Sequence, residues 1–450
     1  MDFTLRGWLS ELERLGRLKT VSRQVSPVHE IAAVTLKAGP DVAIMFNNVT
    51  GYDVPVVTGL AGSRPAMAAS LGLGVREMLN RFNQALNSPV PCQVEASGHQ
   101  EVKSRVYRGE AVDLEKILPA CVHHEFDSGK YLTAAMLITK DPETGVRNMA
   151  IHRHELHGGN KLGALLLPRH TANIFNRAEA LDKPLEVALI IGAHPVVLLA
   201  SQATTRLGVD ELEIAGGLMG QPLKLVKCET VDLEVPVESE FVLEGRILPN
   251  VRHDEGPFGE YPRTYGPQSR RHFLEIGCVT HREKPIYHTI TPATLEHLLL
   301  GAIPREATML QLIKQAVPTT LAVHLTPSGG CRYHCVIQID KQNEGEAKNA
   351  IFAALASSAE IKHVVVVDKD IDPFDLADVE WAISTRLQAS KDAFIVAGAM
   401  GNKLDPSAND GLGDKLGLDA TTPSDPQARQ RFQKIRVPGV ENVNLDDYFD

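Results

Sequence analysis

LTAAMLITKDPETGVRNMAIHRHEL, residues 132–156, sets two apolar runs on either side of a Pro/Gly turn. Leu132–Thr139 and Val146–Leu156 read as strands, and Asp141-Pro142-Glu143-Thr144-Gly145 between them suits a hairpin. Further strands are expected at Leu185–Ile191, Leu223–Val226, Glu240–Ile247 and Phe273–Val279, with helical pieces near Ala172–Leu181 and Asp210–Leu218. A run of β segments with few helices predicts a barrel or sandwich for the middle of the chain.

Outward from this core the pattern changes. At the N-terminal end Leu5, Trp8, Leu9, Leu12 and Leu15 recur at three- and four-residue steps, an amphipathic helix that Asp2 or Thr4 can cap. Short strands at Val42–Phe46 and Val54–Val57 and a helix over Val75–Leu86 complete an α/β region up to about residue 115. Beyond the core, Pro304–Gln315 reads as a helix with proline in its first turn. Tyr333–Ile339, Glu344–Ala356, Val364–Val367, Pro373–Leu387 and Ala393–Val396 then alternate strand and helix, the signature of a compact α/β domain. Residues 398–430, rich in Gly, Asp, Asn and Pro, read as a long loop leading to a tail.

The 450 residues carry a formal charge of −10. Such a surface does not attract nucleic acid through its overall field and leaves an anionic substrate to be captured by placed Arg or His. The six cysteines form no CxxC pair, which fits a reduced, cytoplasmic setting. The N-terminal residues lack a secretory apolar region, and no apolar stretch is long enough to span a bilayer.

Two stretches carry the chemistry. HDEGPFGEYPRTYG, residues 253–266, separates Glu255 from Glu260 by a segment that Gly256-Pro257 and Gly259 force to turn. Two carboxylates brought close split their proton affinities, so that one stays protonated near neutral pH. NMAIHRHELHGGNKLGALLLPRHT, residues 148–171, holds Asn148, His152, Arg153, His154, His157 and His170. Strict alternation puts Asn148, His152 and His154 on one face and Arg153 on the other, so a strand serving one site with both Asn148 and Arg153 must bulge or end between them. Cys331, His334 and Cys335 fit no standard metal spacing, and Gly216–Gly220 lacks the strand–turn–helix context of a dinucleotide loop.

Together these stretches resemble the UbiD family of reversible decarboxylases, which use prenylated FMN. The matching features are Asn148 with Arg153 five residues on and His170 after them, Glu211 (or Glu213) in ELEIAGGLMG, VPVESEFVLEG, the EGPFGE turn, DKDID and KLGLDAT, which between them reach from about residue 148 to 420. His152 and Leu167-Pro168-Arg169 depart from the Tyr and Trp-Leu-Ser common in the family. The resemblance implies a mixed α+β and α/β chain: an N-terminal α/β region (1–115), a flavin-binding split β-barrel (116–302), a linking helix (303–320), a C-terminal α/β oligomerisation domain (321–430) and a tail (431–450).

It further implies Asn148, His170 and Glu211 as ligands of a divalent metal, Mn²⁺, that neutralises the flavin phosphate, with K⁺ near the cofactor. Such mostly hard donors suit that kind of ion. Cofactor contacts would come from Asn148, Ile151, His152, Arg153, Arg169, His170 and Glu211. Arg153, Glu255 and Glu260 would form the catalytic trio, with Glu260 as the acid. His297, Arg305 and Arg332 are placed like a set in the bacterial furan-2,5-dicarboxylate decarboxylases, where a forked Arg can hold the remote carboxylate and His can meet the ring heteroatom. The expected partners are a (hetero)aromatic acid, CO₂, a prenyltransferase that supplies the cofactor, and further copies of the chain in a dimer or hexamer. The alternatives are a phenolic monoacid decarboxylase of the hydroxybenzoate type, a non-catalytic flavin-binding subunit, or a metal-dependent hydrolase using the carboxylate pair.

Overall fold

The computed structural model describes residues 1–96 and 100–449, in two compact units. The first comprises Met1–Met309, Leu325–Arg332 and Asn402–Gly411; the second comprises Leu310–His324, Tyr333–Gly401 and the residues from Leu412 on.

In the first unit the N-terminal helix runs Leu5–Arg14, capped by the Thr4 hydroxyl, which accepts from Gly7 N at 2.8 Å. Its buried stripe is Leu5, Trp8, Leu9 and Leu12, as the spacing predicts, and the Trp8 indole N–H is satisfied by the Leu60 carbonyl at 2.7 Å. A small sheet in the order Leu18–Val21, Ala43–Phe46, Val56–Thr58, Tyr287–His288 lies beside it.

The main sheet has nine strands. Its order is Tyr131–Leu132, His154–Leu156, Lys161–Ala164, Ser269–His281, Phe241–Glu255, Leu185–Ile191, Met136–Lys140, Arg147–Ile151, with Arg105–Arg108 added to the Ser269–His281 strand. The expected hairpin forms, Met136 facing Ile151 and Lys140 facing Arg147. The second run does not continue through to Leu156, because it ends at Ile151 and a new strand begins at His154. Those two pieces lie near opposite edges of the sheet, yet only His152 and Arg153 join them. Three virtual Cα–Cα bonds reach at most ~11 Å, so the sheet has to curl until its edges meet at this junction. The curled interior is filled by Leu137, Leu162, Val187, Leu189, Leu243, Leu274 and Ile276, all fully buried. This is the split barrel the motifs imply.

The strand predicted at Glu240–Ile247 extends to Glu255, past an irregular stretch in its pairing between Ile247 and Arg252. The barrel therefore delivers Glu255 directly from the end of a strand. The helix expected from Pro304 instead runs Leu295–Ala316, with Pro304 inside it. Proline denies one amide to the Leu300 carbonyl but does not stop a helix whose flanks are buried, and Leu298, Leu299, Ala302 and Ile303 ahead of it are all buried.

The second unit is a five-stranded sheet in the order Thr320–Leu325, His334–Ile339, His363–Asp368, Leu412–Ala420, Ala393–Met400, flanked by helices Glu346–Ser357 and Leu376–Arg386. The residues read as a loop over 398–430 thus contain a central strand, parallel to His363–Asp368 and antiparallel to Ala393–Met400. Its composition hid it. Lys415 and Asp419 are buried there only because the ammonium donates to the Ala359 and Ile361 carbonyls and the carboxylate accepts from Thr421. Gly417 is required by contact, since a β-carbon there would lie 2.7 Å from both Ile351 and Phe394.

Candidate active site

Arg153 stands in the seam of the barrel. Its Nε and Nη2 donate to the two oxygens of Glu255 at 2.8 and 2.7 Å, and its Nη1 donates to Glu260. Glu255 closes the long strand; Glu260 follows a short two-residue strand, Phe258–Gly259, that pairs with Tyr265–Gly266. The turn is pinned by Glu155, which accepts from Gly256 N at 3.0 Å, and by Asp127, which accepts from Gly259 N at 2.8 Å. The Phe258 ring lies 4.9 Å from the Arg153 guanidinium carbon and packs on Tyr131.

One guanidinium thus faces two buried carboxyl groups. Burial and the neighbouring Glu255 raise the Glu260 carboxyl above its ordinary range, with Arg153 opposing. The Arg153 cation remains charged, its two carboxylate partners outweighing the cost of burial. The trio therefore combines a fixed cation with a carboxyl poised to hold and release a proton.

On the other side of the junction, Asn148 lies near the start of its strand and faces Glu211, the first residue of helix Glu211–Met219, which is capped by Asp210. Glu211 accepts from Asn148 Nδ2 at 3.1 Å and from Met149 N at 2.8 Å, and His170 Nδ1 stands 3.7 Å away. Thr171 donates to Asn148 Oδ1 at 2.8 Å and lies 3.1 Å from His152 Nε2. Glu211, not Glu213, joins Asn148 and His170. A cleft lined by Asp141, Arg147, Asn148, His170, Leu207 and Gly208 opens beside this group.

These residues fit a divalent cation. Burial raises the Glu211 carboxyl, and one imidazole and one amide leave its negative charge undercompensated. Among the described residues no group of three or more His, Cys, Asp or Glu side chains is arranged for a metal; here the third donor is an amide, whose oxygen must turn from Thr171 to ligate. Cys331, His334 and Cys335 form no such group either, and no disulfide joins any of the six cysteines.

His152, pushed down to about 4 by burial, is a neutral imidazole. Ile151 ends its strand next to it, and Arg169 stands exposed at the N-terminal boundary of helix His170–Ala180.

The structure also gathers His297, Arg305 and Arg332. His297 and Arg305 lie on the Leu295–Ala316 helix four residues to either side of Gly301, and Arg332 packs against Gly301. Arg305 Nη1 donates to the Gly301 carbonyl at 2.7 Å. Arg332 Nη1 donates to the Cys331 carbonyl at 2.8 Å, and its guanidinium lies so close to Gly301 that a β-carbon there would sit 1.8 Å from Nη2. His297 Nδ1 accepts from Ala293 N at 3.1 Å, and burial followed by the Arg332 charge holds its ring neutral, near about 4. Nearby Arg64 forks onto fully buried Glu306 at 2.8 and 2.5 Å. Sequence reading missed Tyr261. Its ring lies 5.4 Å from the Arg332 guanidinium carbon, and it directly follows Glu260. The only signal was adjacency to the carboxylate pair.

A curled flavin-type barrel bearing this trio beside an Asn/His/Glu group defines a carboxy-lyase architecture. Three family profiles match the chain in succession, the N-terminal domain of 3-octaprenyl-4-hydroxybenzoate carboxy-lyase at 9–86, its Rift-related domain at 93–295 and its C-terminal domain at 298–420. The chain is a member of the UbiD family of decarboxylases. The UbiD-class enzyme HmfF from Pelotomaculum thermopropionicum, solved in complex with FMN, is 56% identical with a TM-score of 0.97, over 99% of this chain and 100% of that one. An evolved dimeric form of it in complex with prenylated FMN is 52% identical with a TM-score of 0.93, over the full length of both. Anhydromevalonate phosphate decarboxylase of Methanothermobacter thermautotrophicus is 38% identical over 94% of this chain and 98% of its own. Gallate decarboxylase of Lactiplantibacillus plantarum is 31% identical over 87% of each chain. Among the described residues no helix is long and apolar enough to cross a membrane.

Proposed function

We propose that the protein catalyses the reversible, non-oxidative decarboxylation of furan-2,5-dicarboxylate to furan-2-carboxylate and CO₂, with prenylated FMN as cofactor. The observation that carries this reading is the pairing of two sites through adjacent residues. The proton-handling trio ends at Glu260, and the next residue, Tyr261, packs on an arginine cluster suited to a second carboxylate. A substrate whose only carboxylate is the one lost gives that cluster no anion to bind.

Loss of CO₂ leaves an electron pair that no amino-acid side chain can store, and the modified flavin supplies the sink when bound. The chain's residues do the rest. Arg332 and Arg305 hold the remote carboxylate by charge-assisted hydrogen bonds, and neutral His297 donates to the ring oxygen. Glu260, protonated because of its burial and of Glu255, passes its proton to the carbon that CO₂ has left. Arg153 orients Glu260 and, through its fork, holds Glu255 in place. In the carboxylating direction Glu260 takes the proton. Asn148, His170 and Glu211 would hold Mn²⁺ against the flavin phosphate, with K⁺ close by and Ile151, His152 and Arg169 lining the cofactor. A prenyltransferase supplies that cofactor to a cytoplasmic homo-oligomer, a dimer or a hexamer.

The test is co-expression with a flavin prenyltransferase, mass and absorbance of the small molecule released, and turnover of furan-2,5-dicarboxylate against 4-hydroxybenzoate. Prenylated FMN with selective turnover of the diacid is expected. Plain FMN and no activity in that sample would overturn the reading. Equal activity on mono- and diacids would favour the phenolic alternative, toward which the gallate decarboxylase relative points. Bound flavin without turnover of any acid would favour a non-catalytic subunit.

A further inference from the structure

Tyr261 is buried, 7% exposed, between two functional groups. Its ring faces the Arg332 guanidinium at 5.4 Å, within the range of a cation–π contact. Behind the ring stands Gly330 (φ +63°), where a β-carbon would lie 3.3 Å from Tyr261 Cδ2. The Arg332 guanidinium is also pressed against Gly301. The cation is therefore held between an aromatic face and a glycine of the helix, with little freedom to move. In the backbone direction, Tyr261 is bonded to Glu260, and its main-chain N–H favours the ionised form of the Glu260 carboxyl. Glu260 is fixed in turn by its N–H to the Thr264 carbonyl at 2.9 Å.

We propose that Tyr261 is a positioning residue that couples recognition of the remote carboxylate to alignment of the acid: its ring seats Arg332 while its backbone carries Glu260. This rests on the dicarboxylate reading above. A diacid that fixes Arg332 thereby fixes the ring and, one residue away, the proton donor. A monoacid whose only carboxylate is the one to be lost lacks that handle.

The test uses holoenzyme co-expressed with a flavin prenyltransferase, as Tyr261→Phe, Tyr261→Leu, Arg332→Gln and the Leu/Gln double variant. Equilibrium binding of furan-2,5-dicarboxylate to each protein in its flavin-free form is the readout independent of turnover. Tyr261→Leu is expected to weaken diacid binding and raise the diacid KM by about three- to thirtyfold, the range of a lost desolvated cation–π contact. Binding of 4-hydroxybenzoate, whose single carboxylate is the one to be lost, should change little. Tyr261→Phe should restore wild-type values, since the aromatic face is kept, and in the Arg332→Gln background Tyr261→Leu should add nothing further. Should Tyr261→Leu lack a wild-type melting transition, Tyr261→Met carries the same comparison. Equal losses on both acids, full additivity with Arg332→Gln, or a Phe variant as impaired as Leu would each overturn the coupling. Wild-type protein that fails to bind furan-2,5-dicarboxylate would overturn the substrate reading and this inference with it; wild-type binding with no selective loss overturns the inference alone.

Discussion

Arg153 forks onto both oxygens of Glu255, at 2.8 and 2.7 Å, and spends its remaining Nη1 on Glu260. One carboxylate is thereby fully matched and the other only partly, so the two acids are chemically unequal although they stand five residues apart. The partly matched one is free to change its protonation state.

Replacing Glu260 with Gln keeps the shape and the contact to Arg153 but removes the proton. Turnover is expected to fall by at least ~10²-fold, the usual scale for loss of a general acid. Flavin content and the melting transition should stay as in wild type. Near-wild-type turnover would take Glu260 out of the mechanism.

The pH profile follows from the same group. The Glu260 carboxyl is raised from its ordinary 4.5. Decarboxylation needs it protonated, so kcat should be full below the raised value and decline as pH rises through it. Initial rates across the pH range, compared with the residual rate of Glu260→Gln, check this; a rate that rises over the same interval sinks it. His297, near about 4, is already neutral over about pH 5 to 8. The diacid KM should therefore show no His297 inflection in that range.

Glu211→Ala removes the buried carboxylate to which Asn148 and Met149 donate. Manganese and flavin are both expected to drop in the purified variant, measured by elemental analysis and flavin absorbance. Retention of both would move the metal role away from Glu211.

Exchanging Arg305 or Arg332 for a neutral residue should raise the diacid KM far more than that of a monoacid whose only carboxylate is the one lost, such as 4-hydroxybenzoate. A hydrogen bond to a charged group is worth ~1.5–3 kcal/mol, about one to two decades in kcat/KM. Parallel losses on the two acids would mean that these arginines hold the helix turn around Gly301 and not the substrate.

Gly417→Ala tests the central strand of the second unit. The added methyl meets Ile351 and Phe394 at 2.7 Å, and overpacking of this kind costs ~1–3 kcal/mol. A lowered denaturation midpoint is expected, and an unchanged one would show that Phe394 moves aside at little cost.

That strand marks where sequence reading failed. Gly413, Gly417, Lys415 and Asp419 lower its β-propensity, and the Ala359 and Ile361 carbonyls that make the burial of Lys415 tolerable come from far upstream in the chain. The helix starting at Leu295 was obscured in the same way, because proline reads locally as a start while packing decides whether the helix runs through it. By contrast, the Leu5–Arg14 stripe, the hairpin around Asp141–Gly145 and the Glu255/Glu260 turn were legible, since periodicity and turn chemistry are local. The geometric demand that a strand break between Asn148 and Arg153 was legible too, and the structure breaks it at residues 152–153. Tyr261 was not, because an aromatic next to a carboxylate has no meaning until Arg332 arrives from 71 positions away.

The two-residue junction at His152-Arg153 has one more implication. Asn148 lies on its near side and Arg153 in it, so a stretch of six residues carries both the group assigned to the phosphate end of a flavin and the group assigned to its reacting end. On that assignment the peptide sets the spacing between the two ends, as a gauge block does. Side chains along it can be exchanged without changing the measure. Adding or deleting one residue would rotate every later side chain to the opposite face and shift the two ends out of step at once. The fold should therefore accept many exchanges of residue type in this interval and no change in its length.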